Sequence, residues 1–492
     1  MECIFAADIG TTQIKAAITD KQGSILDLMS QPNRVYHAHD GWSELDMEEL
    51  YQTFCSLSRK LTGRNPAAAA QLKGAGITAL GEGLWPLDDE MRPVRRAILW
   101  NDTRARSLDI PDRPELDELL KEHHITPLFP AAPPVVLRWM RENEPENYRR
   151  MAHGVHCGDY LNYRLTGSLC TDRTLASTAS VNVLTGEHYY PLFELMGVGD
   201  KADAMPEILS STDIVGYVSA EAENATGIRR GTPVIAGALD AAATAFGAGA
   251  YQKGDACTIF GTSLCNIAVQ EAQEVSHTSP CGSTLCGIAP GTYLRMMSTN
   301  CGSAFIDWAK SMFAPELSFD ELERRICEVP IGSNGLLCHP YLNGERAPFK
   351  DAFASGSFFG LTARHTRTEL LRAAYEGLIL SLKDCYREIP SAYTRAFVAG
   401  GGANSNLLCA LTASAIGVPV YRPAQTQLGI CGIAAAVRYA LGYVPKLEPP
   451  AFFGDTFLPD RQEAEALERM YAQYAALREQ MRTYWPKLRQ EA

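Results

Sequence analysis

The chain has 492 residues, of which 46% are hydrophobic and 21% charged, with a formal net charge of −12. That length exceeds one compact core and points to two or three domains. The acidic balance argues against a nucleic-acid binder, which carries a basic patch or a high pI. It leaves room for anionic ligands held by backbone N–H groups.

The opening MECIFAADIG lacks a basic region followed by an apolar stretch, so no signal peptide is expected. No apolar run reaches the roughly 20 residues that span a bilayer. The 14 cysteines contain no C-x-x-C pair, and many lie in apolar or Gly-rich stretches. They read as buried thiols in a reducing cytoplasm, not as a disulfide framework. The His123–His124 pair and His153/His156 invite a metal reading, but adjacent residues on a helix do not face one another and neither group carries a usual metal-site signature, so no metal is expected on them.

Residues 3–26 read strand, Gly-Thr turn, strand, Gly turn, strand. Asp8 closes the first strand and Gly10–Thr11–Thr12 turns the chain. Glycine lets backbone N–H groups approach a phosphate, and the threonine hydroxyls add donors. Asp8 repels phosphate, but it suits a Mg²⁺ that in turn binds phosphate oxygens. An ordinary hairpin with a turn-forming Asp is the plainer reading.

In residues 232–250 Asp240 stands alone in a run of Ala, Gly and Val, with Arg230 and Lys253 the nearest charges. A carboxylate in such surroundings must be paired, hydrogen-bonded or neutralised. The stretch that follows reads as a helix. Asp240 is then either that helix's N-cap or a working group kept ionised by the helix N-terminus.

Residues 254–270 repeat the opening unit, with Gly261–Thr262–Ser263 where Gly10–Thr11–Thr12 stood. The echo suggests duplicated domains, expected here as 1–246 and 247–492. Two such turns facing one another would grip the two ends of a triphosphate. Further on, Thr366 and Glu369 form a capping box, and Leu371, Tyr375, Leu378 and Leu382 continue at helical spacing. Residues 397–421 read apolar strand, Gly400–Gly401–Gly402–Ala403, a helix opened by Asn404 and Ser405, then a strand. Packing does not account for three glycines there. They permit close approach of a ligand, and the helix start favours negative charge, which suits a nucleotide. A plain tight turn is the alternative, since neither a G-x-G-x-x-G fingerprint nor a P-loop is present. Asp460 and Glu463 open a last helix whose Leu467, Tyr471, Tyr474, Met481 and Trp485 make one packing face. Alternating strands and helices give an α/β class.

The ordered set DIGTT, Asp240, FGTS, GSFFGLTARHTRTELLRAAYEG and AGGGANSN resembles the FGGY carbohydrate kinase family over essentially the whole chain. The stretches DGWSELDMEELY, AILWNDTRA, LRWMRENEPE, GDYLNYRLTG and YLNGERAP join it. The resemblance implies two duplicated RNase H-like domains of the actin/hexokinase-like ATPase fold with a cleft between them. It implies ATP and Mg²⁺, with Asp240 as catalytic base and Asp8 beside the metal. The two Gly-Thr turns would be phosphate hairpins, and Gly400, Gly401, Gly402, Ala403 and Asn404 the adenosine loop. The sugar loop would lie in GITALGEGLWPLDD, with Gly81 and Glu82 at the acceptor, Asp102 as a second polar contact, and Trp100 or Trp85 as an apolar wall. The short G-acid-G loop is similar to L-xylulose kinases and to erythritol kinases. A ketopentose or small polyol is therefore the expected acceptor, and a cytoplasmic homodimer the expected form. The chain departs from the family pattern at Leu408, Ala410 and Ser414, where Trp, Gln and Asp are usual, at Gln427 for a carboxylate, and at Val136 for a lysine. Those changes keep open a sugar-binding protein without catalysis; a chaperone-like ATPase would need a peptide-binding domain that the chain does not show.

Overall fold

Each half of the chain is built on a seven-stranded mixed sheet, and the two sheets share one plan. The computed structural model describes residues 2–108, 114–275, 281–450 and 454–490. In the first half β1 (Cys3–Ile9), β2 (Gln13–Asp20) and β3 (Ile25–Pro32) form an antiparallel meander. On the other side of β1 lie β4 (Leu72–Ala79), then β6 (Pro233–Ile235), both parallel, and β5 (Ile214–Tyr217), antiparallel at the edge. The short β7 (Ala238–Leu239) also pairs with β4.

The second half repeats this order. β8 (Asp255–Phe260), β9 (Leu264–Glu271), β10 (Ser283–Cys286) and β11 (Thr292–Ser298) make the antiparallel side, in the spatial order β10-β11-β9-β8. Beyond β8 come β12 (Arg395–Ala399) and β13 (Val420–Arg422), both parallel, then β14 (Asp455–Phe457), antiparallel. The twin Gly-Thr turns thus sit at equivalent places, β1 to β2 and β8 to β9.

Seven helices matter below: α1 (Arg173–Ala176), α2 (Asp240–Ala248), α3 (Arg367–Arg387), α4 (Asn406–Ile416), α5 (Leu428–Ala440), α6 (Arg461–Met481) and α7 (Trp485–Gln490). The expected caps form. Thr366 and Glu369 close a capping box on α3, and the Asp460 carboxylate accepts from the Glu463 N–H at the start of α6. The last helix is shorter than its spacing suggests. It stops at Met481, and Trp485 opens a separate α7. Pro486 has no N–H to donate to the Arg482 carbonyl and its ring crowds that carbonyl, so α6 cannot run on through it. Trp485 still packs inward, stacked on Phe349 at 6.2 Å between ring centres.

The two sheets share a core. Helices α2 and α5 lie between them, and one apolar cluster takes in Ile4 and Ala6 of β1, Cys257 of β8, Ile267 of β9, and Ile433 and Val437 of α5. The Ala- and Gly-rich composition around Asp240 follows from this, because only small side chains let two helices cross so closely. Of the 14 cysteines, 12 are buried, Cys265 is half-buried and Cys327 exposed. Among the described residues no helix is long and apolar enough to cross a membrane.

Candidate active site

Asp8 and Lys15 lie directly opposite one another on β1 and β2, so their side chains share one face of the sheet. Burial raises the Asp8 carboxyl above its usual range, with Lys15 opposing. A β-carbon on Gly429 would lie 3.1 Å from Asp8 Oδ2. The first turn of α5 is therefore stripped bare where it meets this carboxylate. Gln427 precedes that turn at the N-cap position, and its side-chain Oε1 is buried without a hydrogen-bond partner.

Asp240 is the first residue of α2, and the N-cap position belongs to Leu239. Among the described residues, Asp240 makes one side-chain hydrogen bond: its Oδ1 accepts from the neighbouring Ala241 N–H at 2.6 Å. The carboxylate does not cap the helix, so the N-cap reading fails. Burial pushes the carboxyl up to about 7, and the Asp8 carboxylate adds to the shift. Glu82 stands close enough to add to it as well. Glu82 itself sits in left-handed backbone, φ 62°, between two glycines. Burial raises its carboxyl to about 7, with Arg346 and His156 opposing. Asp8 and Glu82 both lie near enough to Asp240 to act on its charge.

Both Gly-Thr turns are tied into this region. Thr11 Oγ1 accepts from Trp100 Nε1 at 3.1 Å. The Arg346 guanidinium lies 5.4 Å from the Trp100 ring centre and donates to Ser298 O at 2.9 Å. The adjacent Thr299 pairs with Leu264, just after Ser263, through its backbone and its hydroxyl. A continuous line of contacts therefore runs from the first turn to the second. The exposed Thr12 and Thr262 stand at the turn tips. The third glycine loop adjoins the second turn, because Gly400 abuts Phe260, the residue before Gly261.

Several expectations need correction. A β-carbon on Gly400 would fall 2.4 Å from the Phe260 carbonyl oxygen, and one on Gly402 would fall 2.8 Å from the Phe260 β-carbon. Packing against Phe260 accounts for both glycines, and only Gly401 faces open space. Asn404 is exposed, Ala403 is buried, and the helix cap is Ser405, whose hydroxyl accepts from the Leu408 N–H. Asp102 offers no free oxygen: Oδ1 accepts from the Arg104 backbone N–H and Nε, and Oδ2 from the Ser43 N–H and Arg104 Nη2, all at 2.7–2.9 Å. It is a buried structural ion pair, 2% exposed. Trp85 is fully buried, which leaves Trp100 as the aromatic at the site. Leu408 and Ser414 point into the protein, Ser414 bonding Glu463 of α6 at 2.9 Å. Val136 is fully buried as well. His156 pairs with Asp159 at 3.1 Å.

Two residues escaped the sequence reading. Lys15 was hidden as one more residue of a strand, although its spacing from Asp8 across a short turn fixes the pairing. Arg346 lay in the quoted YLNGERAP stretch, but nothing local shows that it reaches Trp100 in the other half.

Two family models match the chain. The N-terminal domain model of the FGGY family of carbohydrate kinases matches residues 3–247, and its C-terminal domain model matches residues 256–441. The chain belongs to the FGGY family of carbohydrate kinases. It is a phosphotransferase acting on a sugar or polyol, and family membership implies ATP as co-substrate. The kinase is 27% identical over 486 residues to the L-xylulose/3-keto-L-gulonate kinase of Escherichia coli (strain K12), covering 96% of this chain and 95% of that one. It is 28% identical over 510 residues to the erythritol kinase of Brucella abortus (strain 2308), covering 99% and 98%. The fold of the kinase superposes on the gluconate kinase of Lactobacillus acidophilus with a TM-score of 0.91, at 24% identity and 99% coverage of both chains.

Proposed function

We propose that the kinase transfers the γ-phosphoryl group of ATP to a hydroxyl of a ketopentose such as L-xylulose, with Asp240 as the base. The observation that carries this is the Asp240 carboxylate itself. It heads α2, accepts a hydrogen bond from its own neighbour, and lies near enough to Asp8 and Glu82 for both to act on its charge. A carboxyl raised to about 7 is well matched to taking a proton near neutral pH. Phosphoryl transfer otherwise needs alignment and charge neutralisation, and the two Gly-Thr turns and Lys15 supply donors and a cation for that. Closure of the halves would exclude water and limit ATP hydrolysis.

Glu82 accepts hydrogen bonds from acceptor hydroxyls, and Trp100 packs against the carbon skeleton. Gly401 and Asn404 line the nucleotide's ribose end. The residues present fit a divalent cation: two neighbouring carboxylates, Asp8 and Asp240, and an unpartnered acceptor on Gln427. Asp8 would hold Mg²⁺, directly or through water, and the ion would neutralise phosphate charge there.

The test is ADP release from Mg–ATP against L-xylulose, D-xylulose, L- and D-ribulose, erythritol, glycerol and several sugar acids. A strong response to a ketopentose supports the reading. The erythritol kinase likeness and the short Gly81–Gly83 loop favour a polyol as the second reading, and a response to erythritol alone would select it.

A further inference from the structure

The backbone that carries Asp240 is held from outside its own helix. The Leu239 N–H, one residue before the carboxylate, donates to Thr174 Oγ1 at 2.7 Å. That hydroxyl in turn donates a hydrogen bond to Asp172 Oδ1 at 2.5 Å. Asp172 is the N-cap of α1; the same oxygen also accepts from the Thr174 N–H at 2.7 Å and from Ser211 Oγ at 3.4 Å. Asp172 and Thr174 are both fully buried. A hydroxyl that donates to a buried carboxylate is fixed in direction, so its lone pairs can aim only one way.

The turn holding Thr174 is clamped on its other side by the second half of the molecule. Ser177 Oγ accepts from the Cys286 N–H of β10 at 3.0 Å. Thr126 Oγ1 lies 3.1 Å from Ser177 O and 3.0 Å from Thr284 O, tying the same two segments. The turn also underlies the acceptor loop: a β-carbon on Gly81 would lie 2.2 Å from Leu239 Cδ1 and 3.2 Å from Leu175 Cδ2. One short turn therefore supports the Asp240 backbone and the loop of Glu82 together.

We infer that Thr174 is a positioning residue for phosphoryl transfer: its hydroxyl, oriented by Asp172, fixes the Leu239 amide and so aims the Asp240 carboxylate at the acceptor hydroxyl. This rests on the reading of Asp240 as the base. A misplacement of about 1 Å costs on the order of 10²-fold in rate, whereas ground-state binding of either substrate does not depend on that aim.

The test compares steady-state kinetics of wild type, Thr174→Val, Thr174→Ser and Asp240→Asn with the best acceptor. Thr174→Val keeps the shape and removes the hydroxyl. It should lower kcat by at least about tenfold while leaving KM for Mg–ATP and for the acceptor within about twofold. Thr174→Ser restores the hydroxyl and should recover most of kcat. Full kcat in Thr174→Val with an inactive Asp240→Asn overturns this inference alone. A Thr174→Ser as slow as Thr174→Val also overturns it, since packing and not the hydroxyl would then be at work. An active Asp240→Asn overturns the role of the base itself. If Thr174→Val does not fold, residue-resolved amide exchange on the wild type decides: the Leu239 N–H should exchange slowly, and rapid exchange contradicts the anchor.

Discussion

Gly247 of α2 and Gly432 of α5 face one another where the two halves of the kinase meet. A β-carbon on Gly247 would lie 2.0 Å from the Leu428 carbonyl oxygen, and one on Gly432 would lie 2.1 Å from the Ala243 carbonyl oxygen. Both obstacles are backbone and cannot swing aside. The crossing places the start of α5, which borders Asp8, beside the helix that Asp240 heads. Gly432→Ala should therefore wedge the helices apart. Overpacking of this kind costs about 1–3 kcal/mol, seen as a lower Tm, and kcat should fall further than the lost stability explains because Asp8 and Asp240 separate. A Gly432→Ala enzyme with normal Tm and kcat would contradict the crossing.

The pH dependence follows from the raised carboxyls. A base must be ionised, and Asp240 and Glu82 are both raised to about 7. The kcat/KM for the acceptor should rise with pH through about 7 and level off above it, the limb belonging to the coupled pair. A profile flat from pH 5 to 8 would contradict a base of this kind.

Stability should run the other way. Asp240 titrates near 3.9 in an unfolded chain and near 7 when folded. Between these values the folded protein holds the extra proton, so this group's contribution to stability declines as pH rises across that window and stays lower above it. Asp240→Asn removes the penalty. Its Tm relative to wild type should therefore be higher at pH 8 than at pH 4, which thermal unfolding at the two pH values checks.

Glu82 and Asp102 looked alike in the sequence, each an acid assigned to the acceptor. The structure separates them. Glu82→Gln should raise KM for the acceptor about tenfold or more at unchanged Tm and unchanged KM for Mg–ATP. Asp102→Ala leaves the buried Arg104 with Glu44 as its remaining acidic partner and the Ser43 N–H without its acceptor; breaking a buried pair in this way costs up to about 3–5 kcal/mol. Its loss should appear in Tm and soluble yield. A normally stable Asp102→Ala with a raised acceptor KM would reverse the two assignments.

Much of this was legible in the chain. The β1–β2 and β8–β9 hairpins, the capping box at Thr366 and the cap at Asp460 are local features, set by residues a few positions apart. The isolation of Asp240 was legible because its carboxylate breaks a long apolar run. What stayed hidden depends on contacts between distant segments. Gly400 and Gly402 looked like a ligand cradle because Phe260, which they pack against, lies 140 residues earlier. Three of the four donors that fill Asp102 come from Arg104, two residues on; only the Ser43 N–H comes from another segment. Arg346 and Thr174 carry no local mark at all, and only the folded chain brings them to Trp100 and Leu239.

The most direct measurement is the rate of phosphoryl transfer by Asp240→Asn, at saturating Mg–ATP and the best acceptor, beside its Tm. General-base help is typically about 10²–10⁴-fold. The expected result is a loss at least that large in an enzyme that stays folded and still binds Mg–ATP. An Asp240→Asn enzyme within about tenfold of wild type would contradict the role assigned to Asp240.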